Sequence, residues 1–437
     1  MGAHIGILGA GISGLASAYW LAKRGHSVTV LESSNMLGGL GAFFDFNGRK
    51  IDRFYHCIMP SDDHFLQLIE DLGLSERLYW KKTLMGMIYN GNHYPFNTCV
   101  DLLRFTPFSI LQRIRLGGMS LLLRHLGNDD RLDYTPIGTW LTRLFGKSLW
   151  ERFWSPMFSA KVGDAAARLP SLYLKTRLGR ESNVSERGYI DGGLFGLIEA
   201  LEANIKSLHG FLYTECKVND IAEKNRQLIV HTATRGTVTF DYIVSTIPLS
   251  ILSQAASTID GIDRLPKLDY QGVVNMLLLL DRPLDSYYWT PCISSGTGFD
   301  GIVESSALIK PSHYGGYHAA YVMRYTSRDS ELFKLSGDDI AKSWTDDFLK
   351  LYASRGISSV NVKATFVFKA PFVEPVYPLG YTAIRPGPRI GQSNLFLATT
   401  AQVYPYITSW NSSIRVASNT VADVIADINT HGHPSAT

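Results

Sequence analysis

The N-terminal 32 residues carry the pattern that most constrains how this chain folds. An apolar strand from His4 to Leu8 leads into the turn Gly9-Ala10-Gly11-Ile12-Ser13-Gly14, which opens a helix ending near Gly25. A second apolar strand then ends at Glu32, 18 positions after Gly14. A strand, a glycine turn, a helix and a strand at this spacing form a βαβ unit, whose two strands lie parallel in one sheet. The pattern therefore predicts an α/β fold organised around a parallel sheet.

The glycine turn has the chemistry of a dinucleotide site. Gly9 permits the tight turn, Gly11 lets a pyrophosphate approach the backbone, and Gly14 packs the helix against the strand. The helix N-terminus adds oriented N–H donors. Glu32, at the end of the second strand, is placed to accept hydrogen bonds from a ribose. The residues predicted to contact the nucleotide here are Gly9, Gly11, Ile12, Ser13, Gly14, Glu32 and Ser33.

A second glycine cluster, Gly38-Gly39-Leu40-Gly41, follows the acid and offers further backbone to a long cofactor. An NAD dehydrogenase has no obvious need for it. The arrangement resembles the FAD-binding superfamily that includes the flavin amine oxidases, protoporphyrinogen oxidase, the carotenoid desaturases and UDP-galactopyranose mutase. The resemblance implies that Gly38, Gly39 and Leu40 contact FAD. That superfamily usually has arginine at the position of Leu40, so we expect backbone donors to carry more of the pyrophosphate binding.

Other segments spread along the chain are similar to the same superfamily. They are Tyr189 to Leu197, Lys217 to Ile221, Asp241 to Pro248, Asn394 to Thr400 and Tyr404 to Asn411. The FAD contacts that the resemblance implies in them are Val218, Thr400, Ile407 and Thr408. The superfamily usually carries Gly-Asp or Gly-Glu at Thr399 and Thr400, but a threonine hydroxyl still forms hydrogen bonds. A helix beginning near Tyr406 is expected to direct its N-terminus at the flavin.

The order of these segments predicts an interleaved architecture. We expect a Rossmann-like FAD-binding domain and a substrate domain made of a mixed sheet and a helical insert. The FAD-binding domain is assigned residues 1–80, 187–262 and 375–428. The substrate domain is assigned residues 81–186, rich in helix signals, and 263–374, rich in strand signals. Residues 429–437 are expected to form a frayed tail. A chain of 437 residues with 45% hydrophobic content is large enough for two cores.

Several residues are candidates for roles beside the flavin ring. His56, in the segment Ile51 to Ile58, can act as an acid or base near flavin N5, or serve as an ordinary buried histidine. Tyr404 is a candidate for an aromatic wall that aligns the substrate, as paired aromatics do in flavin amine oxidases, with simple packing as the alternative. Arg385, together with Arg324, can hold a substrate carboxylate or diphosphate, unless each forms a surface ion pair.

The resemblance implies an FAD-dependent oxidoreductase acting on a small molecule. In such an enzyme a substrate C–H bond next to nitrogen, oxygen or an alkene passes hydride to flavin N5, and an acceptor reoxidises the flavin. Two alternatives stay open. One is a flavoenzyme without net redox change, similar to UDP-galactopyranose mutase, acting on a nucleotide-linked or lipid-linked sugar. The other is a non-catalytic flavin-binding protein, which a weakened Thr399-Thr400 segment would favour.

Composition and cysteine spacing argue against several other classes. The net charge of +3, without a basic stripe or zinc-finger spacing, gives no indication of nucleic-acid binding. The four cysteines are isolated, which predicts neither a disulfide framework nor a metal site and suits a reducing cytoplasm. No cysteine follows Cys292, so we expect FAD to be held noncovalently unless His56 or Cys57 attaches it.

The segment from Leu102 to Leu126 combines apolar residues with the arginines Arg104, Arg113, Arg115 and Arg124. Such a helix can lie on anionic lipid through a basic amphipathic face, or bury its apolar side within its own domain. No run approaches the roughly 20 apolar residues of a membrane span, and the N-terminal strand leaves no room for a cleavable signal. We therefore expect a cytoplasmic protein, with peripheral membrane contact through residues 102–126 as an alternative.

Overall fold

The computed structural model describes residues 2–125, 129–180, 185–353 and 360–431. The strands in these ranges are, in chain order, β1 (His4–Leu8), β2 (Ser27–Leu31), β3 (Phe43–Phe46), β4 (Arg49–Asp52), β5 (Leu78–Tyr89), β6 (Asn92–Pro95), β7 (Ser185–Ile190), β8 (Phe211–Tyr213), β9 (Val218–Lys224), β10 (Gln227–Thr232), β11 (Gly236–Phe240), β12 (Tyr242–Ser245), β13 (Asp269–Leu280), β14 (Tyr287–Ile293), β15 (Gly301–Glu304), β16 (His318–Ser327), β17 (Val362–Val376) and β18 (Leu395–Leu397). The helices are α1 (Ile12–Lys23), α2 (Asp63–Asp71), α3 (Cys99–Leu103), α4 (Ile110–His125), α5 (Ile137–Phe145), α6 (Lys147–Leu149), α7 (Ser155–Val162), α8 (Ser171–Arg180), α9 (Phe195–Ser207), α10 (Leu249–Ala255), α11 (Glu331–Lys334), α12 (Gly337–Ala353), α13 (Tyr381–Ile384) and α14 (Trp410–His431).

A five-stranded parallel sheet contains the N-terminal βαβ unit. Its strand order is β18-β12-β1-β2-β8, so the first strand of the chain lies at its centre. Ile5 and Ile7 of β1 are fully buried, as the central strand of a parallel sheet requires. Helix α1 returns the chain between β1 and β2 and packs against both α9 and α14. This arrangement confirms the predicted Rossmann-like α/β fold.

A larger mixed sheet forms the other main layer. Its strand order is β17-β13-β16-β15-β14-β5-β6, and β7 pairs with β5. Its strand pairs are antiparallel except for β14 and β5, which are parallel. Trp344 and Phe348 of α12 pack in an apolar cluster with residues of β13 and β16. Helices α3 to α8 lie between β6 and β7 in the chain and form the expected helical insert. A three-stranded antiparallel sheet, β11-β10-β9, and the hairpin β3-β4 complete the architecture.

Single strands continue across three of the boundaries expected from the sequence. Residue 80 lies inside β5, residue 187 inside β7 and residue 375 inside β17. All three strands belong to the large mixed sheet. The ladder hydrogen bonds continue through these three positions. The large sheet is therefore not interrupted at the boundaries that the sequence suggests.

The segment predicted as one helix from Leu102 to Leu126 forms two helices instead. Helix α3 ends at Leu103 and α4 begins at Ile110. Pro107, between them, lacks the N–H that a continuous helix needs. Leu126 lies outside the described residues. Within the described ranges, every helix is too short or too polar to span a bilayer.

The last helix begins at Trp410 rather than near Tyr406. Ser409 sets this start, because its Oγ accepts a hydrogen bond from the Ser412 N–H at 3.1 Å and caps the helix. The helix continues to His431, so the expected tail from residue 429 begins inside it. The remainder of that tail, residues 432–437, lies outside the described residues.

Candidate functional site

The glycine turn between β1 and α1 leaves space beside the helix N-terminus. Gly9 has a φ of +95°, and a Cβ on Gly14 would lie only 2.0 Å from the Gly9 carbonyl oxygen. At Gly11, by contrast, a Cβ would meet nothing within 4 Å. Among the described side chains none caps α1 at Gly11, so no side chain blocks the N-terminus of this helix from an anion. The turn has the open space and the donors that a pyrophosphate needs.

The second glycine cluster packs directly on the first turn. The Gly38 N–H donates to the Ala10 carbonyl at 2.8 Å. A Cβ on Gly39 would lie 3.1 Å from the Gly11 Cα, so a side chain there would push the two turns apart. Leu40 is half-buried and packs against the core rather than offering a cation. The two turns together form a cradle lined by backbone.

Glu32 is held at the edge of this cradle by backbone donors. Its Oε2 accepts from the Ala10 N–H and its Oε1 from the Ser34 N–H, both at 2.8 Å. The exposed Ser33 places its Oγ 3.4 Å from Oε1. Oε2 has a second lone pair, which leaves acceptor capacity for a ribose hydroxyl.

Strand β9 reaches the same end of the sheet. The Cys216 N–H donates to the Glu32 carbonyl at 2.8 Å, and the Glu215 N–H donates to the Ser34 carbonyl at 2.7 Å. Val218, two residues further on, begins β9 and is half-buried. The structure therefore brings the predicted adenine contact close to the predicted ribose contact, although 186 positions separate Val218 from Glu32 in the sequence.

The C-terminal segment closes on both glycine clusters. The Ser13 hydroxyl donates to the Ala398 carbonyl at 2.8 Å and joins the first turn to the end of β18. Thr400 follows this junction and is half-buried. Trp410, at the start of α14, packs on Gly41, where a Cβ would lie 2.5 Å from the indole ring. Stretches from the two ends of the chain thus meet around one cradle.

His56 lies beside this C-terminal segment. Its ring centroid is 5.0 Å from that of Trp410. Its Nδ1 lies 3.0 Å from the Phe54 carbonyl oxygen, and because a carbonyl only accepts, we assign the proton to Nδ1 and the lone pair to Nε2. Burial lowers the pKa of His56 to about 4. The imidazole is therefore neutral at pH 7, which is a poor match to a proton donor working at that pH.

Tyr404 packs in the core instead of forming the expected aromatic wall. Its side chain is fully buried, and its hydroxyl donates to the Asp133 carboxylate. Its ring lies 4.9 Å from that of Tyr377 and 5.3 Å from that of Tyr381. None of its surface is left for a substrate. The exposed Arg385 donates to the Tyr404 carbonyl at 2.6 Å and so fixes the backbone of this segment.

Arg385 and Arg324 do not form the expected anion-binding fork. Arg324 donates to both carboxylate oxygens of Asp300, from Nε at 2.9 Å and from Nη2 at 2.8 Å. Its Nη2 also donates to the Thr297 carbonyl at 3.1 Å. The two arginines contact different parts of the molecule, because neighbouring strands of the large sheet determine the position of Arg324. The sequence did not indicate the Asp300 partner.

Glu374 is a candidate site residue that the sequence reasoning missed. It lies near the end of β17 and accepts hydrogen bonds from the Tyr173 hydroxyl of α8 and from the Thr408 N–H. Burial raises the pKa of Glu374, while Arg177, Tyr173 and Lys161 oppose that rise. The carboxylate thereby links the helical insert, the large sheet and the C-terminal segment. A lone acid in an apolar strand was the one signal that could have identified it.

An aromatic cluster, formed by Tyr55, Trp289 and Tyr325, lies against the segment that contains His56. The rings of Tyr55 and Trp289 stack with centroids 6.2 Å apart, and the hydroxyls of Tyr55 and Tyr325 are 3.1 Å apart. The Lys161 Nζ lies 4.6 Å from the centre of the Trp289 ring. The cluster gathers side chains from β14 and β16 next to α7, around the segment that carries His56.

Asp52 is a buried acid below the same segment. The Tyr189 hydroxyl donates to its carboxylate, and the Tyr321 hydroxyl donates to its carbonyl at 2.6 Å. Burial raises the pKa of Asp52 to about 6, although the bond from Tyr189 opposes the rise. These contacts tie β4 to β7 and β16, and so fix the start of the segment that carries His56.

The residues around the cradle fit FAD. They supply an open backbone turn at Gly11, a fixed acid at Glu32 and a C-terminal segment joined through Ser13. In the part of the chain that the structure describes, no three histidine, cysteine, aspartate or glutamate side chains come together to hold a metal ion.

Solved structures share this architecture over nearly the whole chain. Reduced UDP-galactopyranose mutase superposes with a TM-score of 0.78 and 14% identity, covering 98% of this chain and 94% of that one. Cyclohexylamine oxidase from Brevibacterium oxydans gives a TM-score of 0.75 and 15% identity, covering 98% and 100%. At these identities the likeness concerns the fold alone.

Sequence comparison extends the likeness to the family. A 15-cis-phytoene desaturase from Synechococcus elongatus is 36% identical over 88 residues, which are 20% of this chain and 18% of that protein. The model of the family described as flavin containing amine oxidoreductase matches residues 12–419. Since that match covers most of the chain, the protein belongs to the flavin-containing amine oxidoreductases and is an FAD-dependent enzyme.

Proposed function

We propose that the protein oxidises a small-molecule substrate by transfer of hydride from a C–H bond next to nitrogen, oxygen or an alkene to N5 of noncovalently bound FAD. One observation carries the proposal. Three chain segments, containing Gly11, Gly39 and Ala398, meet at one cradle beside the N-terminus of α1. Such a cradle suits the pyrophosphate of a cofactor long enough to reach the boundary between the two sheets.

The chain's own residues would hold the cofactor from several sides. The amides at the start of α1 would bind the pyrophosphate, Glu32 would accept from the ribose, and Val218 would lie near the adenine. Thr400 and Thr408 would lie along the flavin half. When bound, FAD supplies a hydride acceptor at N5, and the protein supplies position and electrostatics.

The substrate side favours an apolar molecule. Tyr55 and Trp289 offer stacked aromatic faces, and stacking on such faces suits planar or unsaturated groups. The Tyr55 pKa is raised well above its ordinary value by burial, so its phenol stays neutral and adds no charge to this surface. The aromatic rings would orient a substrate by packing, beside the Lys161 ammonium group that lies against the Trp289 ring.

His56 would hold a bound group in place and would not transfer a proton. Its neutral ring, with Nδ1 bonded to Phe54, presents only the Nε2 lone pair. A conjugate acid with a pKa of about 4 is almost entirely deprotonated at pH 7. An acceptor of this kind can hold a substrate or cofactor N–H in place.

The contacts of Arg324 argue against the mutase alternative. The arginine fork that would have held a sugar diphosphate is not formed, because Arg324 donates to both carboxylate oxygens of Asp300. The binding-protein alternative differs in having no substrate that reduces the flavin. Oxidation is therefore the one of the three functions in which a substrate reduces the flavin, and an assay of flavin reduction distinguishes it from the other two.

The test is anaerobic mixing of the yellow holoprotein with secondary amines, porphyrinogens and polyenes, while flavin absorbance is followed. Bleaching by one class, reversed on admitting an acceptor, supports the proposal. Conversion of a sugar nucleotide only after dithionite reduction would favour the mutase, and failure of every compound would favour the binding protein.

A matched pair of variants tests the aromatic cluster in the same assay. Trp289→Phe removes part of the stacking surface and is expected to raise KM by about tenfold with unchanged flavin content. Trp80→Phe changes a tryptophan that is exposed on β5 and should leave KM unaltered. Equal kinetics for the two variants would remove Trp289 from the substrate side.

We also propose a reducing, cytoplasmic setting and peripheral contact with a membrane. The first is supported by the four cysteines, Cys57, Cys99, Cys216 and Cys292, none of which forms a disulfide in the described chain. The second is supported by the exposed side chains of α3 and α4.

A further inference from the structure

Helices α3 and α4 expose a concentration of large apolar side chains. Of the seventeen exposed large hydrophobic residues in the described chain, seven lie on these two helices. They are Val100, Leu103, Ile110, Leu111, Ile114, Leu121 and Leu122. Leu111 has 80% of its surface exposed. Scattered apolar residues need no explanation, but a contiguous group of this size indicates a surface that is covered in use.

The periodicity of α4 shows that this exposed face is additional to the one that packs. At about 100° per residue, Leu116, Met119 and Leu123 fall on one side of the helix. Leu116 and Leu123 are buried there, in the core of the helical insert. The five exposed apolar residues of α4 fall within a separate sector about 120° wide. The inner face packs α4 against the core of the insert. The exposed side chains of the outer face therefore add little to the stability of the folded chain.

Arginines border the outer face on both sides. On the same wheel Arg113 falls beyond one edge of the exposed sector and Arg115 beyond the other. The Arg113 Nε donates to the Phe108 carbonyl at 2.8 Å, and the Arg115 Nε donates to the Leu144 carbonyl at 3.0 Å. Both guanidinium groups are thus fixed at the rim by backbone acceptors.

The charge of the segment is one-sided. Residues 99–125 contain four arginines and a single acid, Asp101. Asp101 accepts from the Thr98 N–H at 2.9 Å in the cap of α3, which occupies its carboxylate locally. An apolar stripe bordered by arginines is complementary to a layer with an apolar interior and anionic head groups.

We propose that the outer face of α3 and α4 lies on an anionic phospholipid surface, with its leucines and isoleucines at the acyl boundary and its arginines at the phosphates. The charge disfavours a second copy of this chain as the occupant, because a twofold interface would place the same arginines opposite one another. The inference does not depend on the flavin reaction. It gives the molecule an orientation, because α4 also packs against α8, which carries Tyr173 beside Glu374.

The test uses the full-length holoprotein in vesicle flotation. One vesicle preparation is phosphatidylcholine, and the other is phosphatidylcholine mixed with phosphatidylglycerol. We expect binding to the mixed vesicles, weakened by added salt, and weaker binding to phosphatidylcholine alone. The double variant Leu111→Gln/Ile114→Gln should reduce partitioning by about a hundredfold, because burying each of the two side chains contributes at least about tenfold.

Matched controls separate lipid binding from misfolding. Leu335→Gln/Leu379→Gln changes two exposed leucines outside the surface, so partitioning should stay at the wild-type level. Both double variants should retain FAD and the wild-type melting temperature. Arg104→Gln should lower binding to the mixed vesicles only, because it removes one charge and no apolar surface.

Two results would overturn the inference. One is equal flotation of the wild type and of Leu111→Gln/Ile114→Gln with mixed vesicles. The other is a lipid-free dimer, seen by analytical ultracentrifugation, that the same double variant dissociates, since the face would then be an interface between copies. Loss of flavin reduction in an otherwise lipid-binding protein would refute the proposed reaction and leave this inference intact.

Discussion

Replacing Gly11 with alanine should separate cofactor affinity from stability. Gly11 has φ −71° and ψ 178°, which alanine adopts without strain. The added methyl would meet no protein atom within 4 Å. The unbound protein should therefore be as stable as the wild type, or more stable by about 0.4–1 kcal/mol through reduced chain entropy in the unfolded state. In a protein of this size that changes the melting temperature by no more than about 2 °C.

The same methyl should strongly weaken FAD binding. It would occupy the space through which the pyrophosphate approaches the backbone, and so lengthen the contacts to the first amides of α1. Each charge-assisted hydrogen bond contributes about 1.5–3 kcal/mol, so the loss of two gives at least about 3 kcal/mol. That corresponds to an increase in Kd of about a hundredfold or more.

Gly14→Ala provides the contrasting variant. Its methyl would lie 2.0 Å from the Gly9 carbonyl oxygen, so the backbone must shift at a cost of about 3 kcal/mol or more. The assay is thermal unfolding of flavin-free protein by circular dichroism, followed by titration with FAD. Wild-type affinity in Gly11→Ala would refute the placement of the pyrophosphate, and a large fall in its melting temperature would refute the open space at this turn.

Three further predictions follow from buried polar groups. Tyr404→Phe should lower stability by about 1–3 kcal/mol in denaturant melts, because the Asp133 carboxylate loses a donor, while an altered KM would restore Tyr404 to the substrate site. His56→Asn should keep most activity, and the pH profile of the wild-type rate should show no inflection due to His56 between pH 5 and 8. If the wild type has an inflection in that range and His56→Asn removes it, the pKa of the ring is not lowered. For Asp52 the folded pKa of about 6 exceeds the ordinary 3.8, so its contribution to stability is greatest below pH 3.8 and is lost as pH rises through 6. Asp52→Asn keeps an acceptor for Tyr189 and should raise the free energy of unfolding by about 1 kcal/mol more at pH 8 than at pH 5, because about one pH unit separates pH 5 from the folded pKa. An equal effect at both pH values would show that the pKa of Asp52 is not raised.

The local parts of the cofactor site could be predicted because their causes are local. Gly9 and Gly14 are required by a turn whose geometry follows from a few consecutive residues, and Glu32 occupies the end of the next strand. Backbone conformation and strand length fix these positions. A motif of this kind is therefore readable without knowledge of the rest of the fold.

The substrate side depended on contacts that no local pattern encodes. Glu374 becomes a site candidate only when α8 brings Tyr173 to it, across 201 positions of sequence. Tyr404 had the residue type and the position expected of a substrate wall, but a distant partner, Asp133, draws its hydroxyl into the core. Arg324 has the residue type of an anion ligand, but the carboxylate of Asp300 occupies its guanidinium group.

The residues of the insert predict one helix from 102 to 126, and the structure forms two helices there, α3 and α4. Apolar residues mixed with arginines predict an amphipathic helix, whereas α4 has a buried apolar face and an exposed one. The sequence alone does not show which apolar residues of α4 are buried and which are exposed. That distinction depends on which side of the helix packs against the insert. Pro107 divided the segment, as the missing N–H of proline dictates.

The hydrogen bond from Ser13 to the Ala398 carbonyl connects residues 385 positions apart. During synthesis Ser13 in the glycine turn leaves the ribosome 385 residues before Ala398, which directly follows β18, the edge strand beside β12. Until Ala398 does so, the turn lacks its C-terminal neighbour. We therefore expect FAD capture to wait until Ala398 has emerged, and a chain truncated before residue 398 should be colourless even with both glycine turns intact.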